Sequence, residues 1–94
     1  MTRNVQILFF ATIRNITREK ESRWTAPAPT LGDLLRDLSA RYGPLFQRWV
    51  LEGEGLGTSI LIQINGHDAR HEGGVAAPLR ADDIVAIFPA IAGG

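Results

Sequence analysis

The chain opens on an apolar run that has no polar face. Over residues 4–11, Val5, Ile7 and Phe9 alternate to one side, and Leu8 and Phe10 to the other beside Gln6. Apolar side chains on both faces of a pleat predict a central strand. Thr12, Asn15 and Thr17 then stand among isoleucines, which predicts a turn or one helical turn over 12–18. Residues 19–25 are polar apart from Trp24. They predict a charged strand near a sheet edge, where charge suppresses pairing with other chains. Ala26-Pro27-Ala28-Pro29 predicts an extended connector.

The period then changes from two to 3.6. Leu31, Leu34, Leu35, Leu38 and Tyr42 form one apolar stripe, with Asp33, Arg36, Asp37 and Arg41 opposite. Thr30 and Asp33 make a T-x-x-D cap at the helix start, and Gly43-Pro44 is the stop. Asp37 and Arg41 have the spacing of a helical ion pair. Residues 45–51 predict a short second helix, and Glu52 through Gly57 a flexible loop. The alternating glycines of that loop only faintly echo a phosphate cradle. No strand precedes them, no lysine follows, and two carboxylates would repel phosphate.

Ile60, Ile62 and Ile64 alternate with Leu61 and Gln63, and Asn65-Gly66 is the favoured two-residue hairpin turn. A return strand is predicted over 67–71, ended by Gly73-Gly74. Pro78 to Asp83 is turn-rich, and Ile84 through Phe88 is again apolar on both faces. Two such strands, at the start and the end of the chain, fit one sheet when they pair in its middle. Hairpins then flank them and one main helix crosses a single face. The expectation is an α+β β-grasp, the architecture of ubiquitin. It has a mixed sheet of about five strands, the main helix on one face and the short second helix beside it. Residues 1–89 would form this body and 90–94 a flexible tail. The face without a helix would leave Leu8, Phe10 or their last-strand counterparts partly exposed, as docking faces often are.

Composition narrows the function. Length predicts one domain, and 45% hydrophobic with 21% charged residues is ordinary for a soluble one. Ten basic and ten acidic residues leave no net charge, which argues against general affinity for nucleic acid or an anionic membrane. With no cysteine there is no disulfide or thiolate chemistry, and a cytoplasmic location is favoured. No run approaches the ~20 apolar residues of a membrane span.

Enzyme chemistry is not apparent. His67 and His71 would share one side of a strand, but with only Asp68 or Glu72 nearby they read as surface histidines. Ser22, Ser39 and Ser59 lack a nucleophile-elbow motif. Asp82-Asp83 fits turn chemistry, Arg14 and Arg70 fit solvated or salt-bridged surface, and Trp24 and Trp49 fit packing. No metal site and no bound cofactor are expected.

What is left is the C-terminal stretch Phe88-Pro89-Ala90-Ile91-Ala92-Gly93-Gly94. Side-chain-poor residues can thread a narrow channel. Five residues beyond Pro89 reach at most ~17 Å. The stretch therefore suits a Gly94 carboxylate presented to another protein's buried site. Gly93 and Ala92 would give access, and Phe88, Pro89 and Ile91 would contact the partner.

Four segments carry a family resemblance. They are Leu8-Phe9-Phe10-Ala11-Thr12-Ile13-Arg14, Thr30-Leu31-Gly32-Asp33-Leu34-Leu35, Ile64-Asn65-Gly66-His67-Asp68 and Asp83 through Gly94. In that order they resemble the MoaD/ThiS sulfur-carrier family. Ala81 departs from a glycine often found there before the last strand. The resemblance implies a non-enzymatic carrier. An activating enzyme would use ATP to adenylate Gly94, sulfur would replace AMP to give a thiocarboxylate, and a client synthase would take the sulfur. Molybdopterin synthase, in molybdenum cofactor biosynthesis, is the first client implied. The segment 68–75 and the tail also resemble CysO-type carriers for cysteine. The long 45–58 segment sets the chain apart from thiazole-forming carriers. A ubiquitin-like modifier conjugated through Gly94 would use the same tail.

Overall fold

Two apolar strands from opposite ends of the chain lie side by side in the middle of one sheet. The computed structural model describes residues 4–25 and 30–90. β1 (Val5–Phe9) and β7 (Ile84–Pro89) pair in parallel, from Gln6 opposite Ile84 to Phe9 opposite Ile87. β2 (Glu21–Trp24) flanks β1, and β5 (Ile60–Ile64) flanks β7, both antiparallel. β6 (His67–Asp68) completes the order β2-β1-β7-β5-β6, the five-stranded β-grasp sheet the sequence predicts. Between β1 and β2 lies α1 (Thr12–Thr17); between β2 and β5 lie α2 (Leu31–Tyr42) and α3 (Pro44–Val50).

The core fills one face of this sheet. Val5, Ile7, Phe9, Val85, Ile87, Ile60, Ile62 and Ile64 point toward α2, whose Leu31, Leu34, Leu35 and Leu38 are buried against them. Phe9 meets Tyr42 and Phe46 edge-on, with ring centroids 5.5 and 6.2 Å away. Tyr42 donates its hydroxyl to Glu19, and burial, helped by that bond, pushes the phenol above its ordinary pKa. The predicted cap is in place. Thr30 Oγ1 accepts the Asp33 N–H at 3.2 Å and donates to Asp33 Oδ2 at 2.8 Å. The Thr30 hydroxyl, with Arg36 adding, holds the Asp33 carboxyl below the usual carboxylate range.

Three expectations are corrected. The return strand predicted over 67–71 ends at Asp68, and 3-10 turns over Ala69–Glu72 and Gly74–Ala76 follow. The Asp68 side chain accepts the Arg70 N–H at 2.9 Å, a cap that turns the chain off the sheet. Asp37 and Arg41 do not pair with each other. Asp37 accepts the Trp24 Nε1–H at 2.9 Å and Arg41 donates to Ser22 Oγ at 3.1 Å, so both tie α2 to the edge strand. The predicted loop 52–57 contains a minimal hairpin, β3 (Leu51–Glu52) against β4 (Gly55–Leu56).

Gly57 closes that hairpin. Its N–H donates to Val50 O at 2.9 Å, and a Cβ built there would lie 2.1 Å from Trp49 O. The glycine serves close packing of backbone on backbone, not phosphate. Ala11 is the opposite case. It follows β1 at φ +52° and ψ −126°, in a turn closed by Ile13 N–H to Phe10 O at 3.1 Å. That conformation suits glycine and strains a residue with a Cβ.

The two positions should respond with opposite sign in chemical denaturation. Ala11→Gly is expected to stabilise by about 1 kcal/mol. Gly57→Ala is expected to destabilise by about 2–3 kcal/mol, because backbone rather than a side-chain tip must move. Equal small effects at both sites would contradict these backbone geometries.

Candidate functional site at the end of the last strand

Alternation along β7 sends Val85 and Ile87 into the core and Ile84, Ala86 and Phe88 to the opposite face. Register sets their neighbours there: Gln6 beside Ile84, Leu8 beside Ala86, and Leu61 beside Phe88. The Phe10 ring stacks on Phe88 with centroids 4.4 Å apart and planes within 10°. Leu8, Phe10, Leu61, Ala86 and Phe88 are each half-buried, and Ile84 is 41% exposed. This is the apolar face expected opposite the helix. Gln6, hydrogen-bonded to Glu21, and Gln63 and Arg23 rim it.

The strand leaves the sheet asymmetrically. Phe10 N–H donates to Ile87 O at 3.1 Å, the last bond to the β1 side. The next donor on that side would be residue 89, and proline has none. On the β5 side, Pro89 faces Ile60 and Ala90 N–H donates to Ser59 O at 2.8 Å. The chain is therefore held to Ala90 from one side only. β1 has meanwhile turned away at Ala11 into α1, which packs near the end of β7. A depression of about 490 Å³ opens next to Ser59, lined by Leu45, Arg48, Trp49, Leu51, Glu52 and Thr58.

Of the predicted site residues, Phe88 and Pro89 come together at this exit, half-buried. Ile91, Ala92, Gly93 and Gly94 lie outside the described residues. Arg70, considered for anions, donates to Gly57 O at 2.6 Å and Ile60 O at 3.1 Å and fixes the loop before β5. Arg14 Nε–H donates to Phe9 O at 3.4 Å. The shortened β6 removes the shared strand side proposed for His67 and His71. No group of three metal-ligating side chains occurs among the described residues. Asp83 is turn chemistry, as expected. It accepts from the Arg80 N–H and from Asn65 Nδ2. Asp82, at φ +69°, takes the left-handed position of that turn, so Ala81 is unstrained there. Leu61 and Ser59 were not singled out in the sequence. Leu61 was readable, because alternation with Ile60 and Ile62 places it opposite the core.

A family model, the ThiS family, matches residues 7–94. The chain belongs to the ThiS family. It is 35% identical over 91 residues to small archaeal modifier protein 3 of Haloferax volcanii, covering 96% of this chain and 98% of that protein. It is 35% identical over 72 residues to the sulfur carrier protein CysO of Mycobacterium tuberculosis, covering 74% of this chain and 77% of that protein. A chain in the crystal structure of the Amycolatopsis orientalis BexX/CysO complex superposes with a TM-score of 0.80 at 28% identity, covering 96% and 99% of the two chains. These relatives carry the names of carrier and modifier proteins. No helix among the described residues is long and apolar enough to cross a membrane.

The Phe10–Phe88 stack should appear as coupling between the two positions. Each alanine substitution alone is expected to lower stability by about 1–3 kcal/mol. The double variant should fall short of their sum by about 1 kcal/mol. Strict additivity in urea unfolding would mean that the rings do not support each other.

Proposed function

We propose that this chain is a sulfur carrier whose working group is the carboxylate of Gly94. The observation that carries the reading is the exit of β7. A central strand, paired from Ile84 to Pro89, brings the chain to one pole of the sheet beside an apolar face that contains Phe88. An activating enzyme would dock on that face through Phe88, Pro89 and Ile91. It would draw Ala92, Gly93 and Gly94 into its nucleotide site, where small residues pass without obstruction. ATP is bound there, by the enzyme, and not by this chain.

The chemistry follows from the group presented. The Gly94 carboxylate attacks the α-phosphorus of ATP, and pyrophosphate leaves. Sulfide then attacks the acyl carbon, AMP leaves with the C–O electron pair, and a thiocarboxylate results. The softer sulfur, left unhindered because glycine has no side chain, is transferred to a client synthase, and the carboxylate is restored when water completes the cycle. In molybdopterin synthase this chain would be the small, non-catalytic subunit. In a CysO-type route it would feed sulfur to a cysteine-forming enzyme. Both clients take the same donor. A second reading, a modifier joined through Gly94 to lysines of other proteins, is supported by the modifier relative that spans almost the whole chain.

The test is intact-mass measurement after incubation with a sulfur-carrier activating enzyme, ATP and sulfide. The expected result is the mass gain of one oxygen replaced by sulfur, confined to the C-terminal peptide. Deleting Gly94 should abolish the gain and leave thermal unfolding unchanged, since the buried apolar core of the described residues runs from Val5 to Ile87. A chain that stays unmodified with cognate activating enzymes would sink the carrier reading.

A further inference from the structure

A protein whose own end is activated for acyl transfer must live with the nucleophiles on its own surface. This one has few. Its ten basic residues comprise nine arginines and a single lysine, Lys20, and it has no cysteine. Guanidinium groups stay protonated and do not attack acyl carbon. Thiols, which would capture an acyl adenylate fastest, are absent.

Lys20 is placed as an available amine. It is exposed, in the link between α1 and β2. The acidic residues on either side of it are occupied elsewhere. Glu19 accepts the Tyr42 hydroxyl, and Glu21 accepts from Gln6 Nε2. No ion pair or side-chain hydrogen bond engages Lys20 Nζ among the described residues. Its backbone locates it in the fold. Lys20 O accepts the Phe9 N–H at 2.9 Å, while the adjacent Phe10 N–H donates to Ile87 O. Lys20 and Ile87 thus lie on either side of β1, about 10 Å apart at ordinary strand spacing. The only lysine sits at the pole from which β7 exits.

We infer that Lys20 is an acceptor for self-conjugation, acylated by the activated Gly94 of a second copy of this chain. This rests on the proposed activation of Gly94. The donor is a second copy because an enzyme that holds a chain's C-terminus lies against this same pole and covers that chain's Lys20. A copy with an unengaged C-terminus presents it. In the step, Nζ attacks the acyl-adenylate carbon, the N–C bond forms, AMP departs with the C–O electron pair, and the Nζ proton passes to solvent. No oxidation state changes. With one lysine per copy, a chain of copies built through lysine has a single linkage and does not branch at side chains.

The experiment uses the full chain and its Lys20→Arg variant with a sulfur-carrier activating enzyme and Mg·ATP, with and without sulfide. Without sulfide, the wild type should yield a covalent species of two chains less one water. After trypsin it should give a branched peptide joining residues 19–23 to residues 81–94. The K20R variant should lose this species while forming the Gly94 thiocarboxylate with sulfide as well as the wild type does. Three results would overturn the inference. They are a two-chain conjugate that persists in K20R through the α-amino group, a single chain less one water from attack by its own Lys20, and thiocarboxylate formation with no conjugate. Absence of the thiocarboxylate in both proteins would instead strike the carrier reading first, and this inference with it.

Discussion

The parallel pairing of β1 with β7 is the constraint on which the rest of this structure depends. It joins residues 6–9 to residues 84–87, so nearly the whole chain must be gathered before it forms. Loop-closure entropy opposes such a contact, and burial of two-faced strands offsets it. Val5, Ile7, Phe9, Val85 and Ile87 are all within a few per cent of full burial. Because the pairing is parallel, both strands end at the same pole. That geometry, more than any side chain, brings together α1, the Lys20 link and the exit of the C-terminal segment.

The same pairing makes the sheet two-sided in character. The α2 stripe satisfies one face, and nothing in the fold of the described residues covers the other. Leu8, Phe10, Leu61, Ala86 and Phe88 solve part of this among themselves, by packing side by side and stacking two rings. The solution leaves them half-buried, a state that suits reversible docking better than full burial or full exposure would. Pro89 then ends one ladder while Ser59 extends the other to Ala90. The last strand is thereby hydrogen-bonded up to the residue at which the proposed working segment begins.

Sequence patterns disclosed most elements, short α1, β2 and α3 among them, and missed the β3–β4 hairpin and the end of β6, for physical reasons. β1, α2 and β7 were legible because their buried apolar residues fall on a clear period, Val5, Ile7 and Phe9 in β1, Leu31, Leu34, Leu35 and Leu38 in α2, and Val85 and Ile87 in β7, and α2 carries its Thr30–Asp33 cap. β6 was overextended because His67-Asp68-Ala69-Arg70-His71 has no apolar alternation to mark an end. The end is set by the Asp68 side chain capping Arg70. Asp37 and Arg41 misled because helical spacing permits a pair but does not require one, and the neighbouring edge strand offered Trp24 and Ser22 instead. Gly57 could not be understood from composition, since its reason is a carbonyl of α3 folded against it. At the candidate site, Phe88 and the apolar face were legible from alternation. The Ser59–Ala90 bond was not, because it depends on register.

A carrier also imposes demands on residues that never touch a partner. In the proposed reading its end must react, and its body must not. Arginine meets the second demand while keeping the charge balance that solubility needs, because it supplies positive charge without a titratable amine. Nine arginines against one lysine balance ten acidic residues and leave a single side-chain amine to compete for the carboxylate activated in that reading. Among the described residues the amine that remains has no ion pair, and the carboxylates beside it serve Tyr42 and Gln6. Those two hydrogen bonds first look like unrelated stitching of the β2 edge. They also engage the two carboxylates nearest in sequence to the single lysine, its ready ion-pair partners.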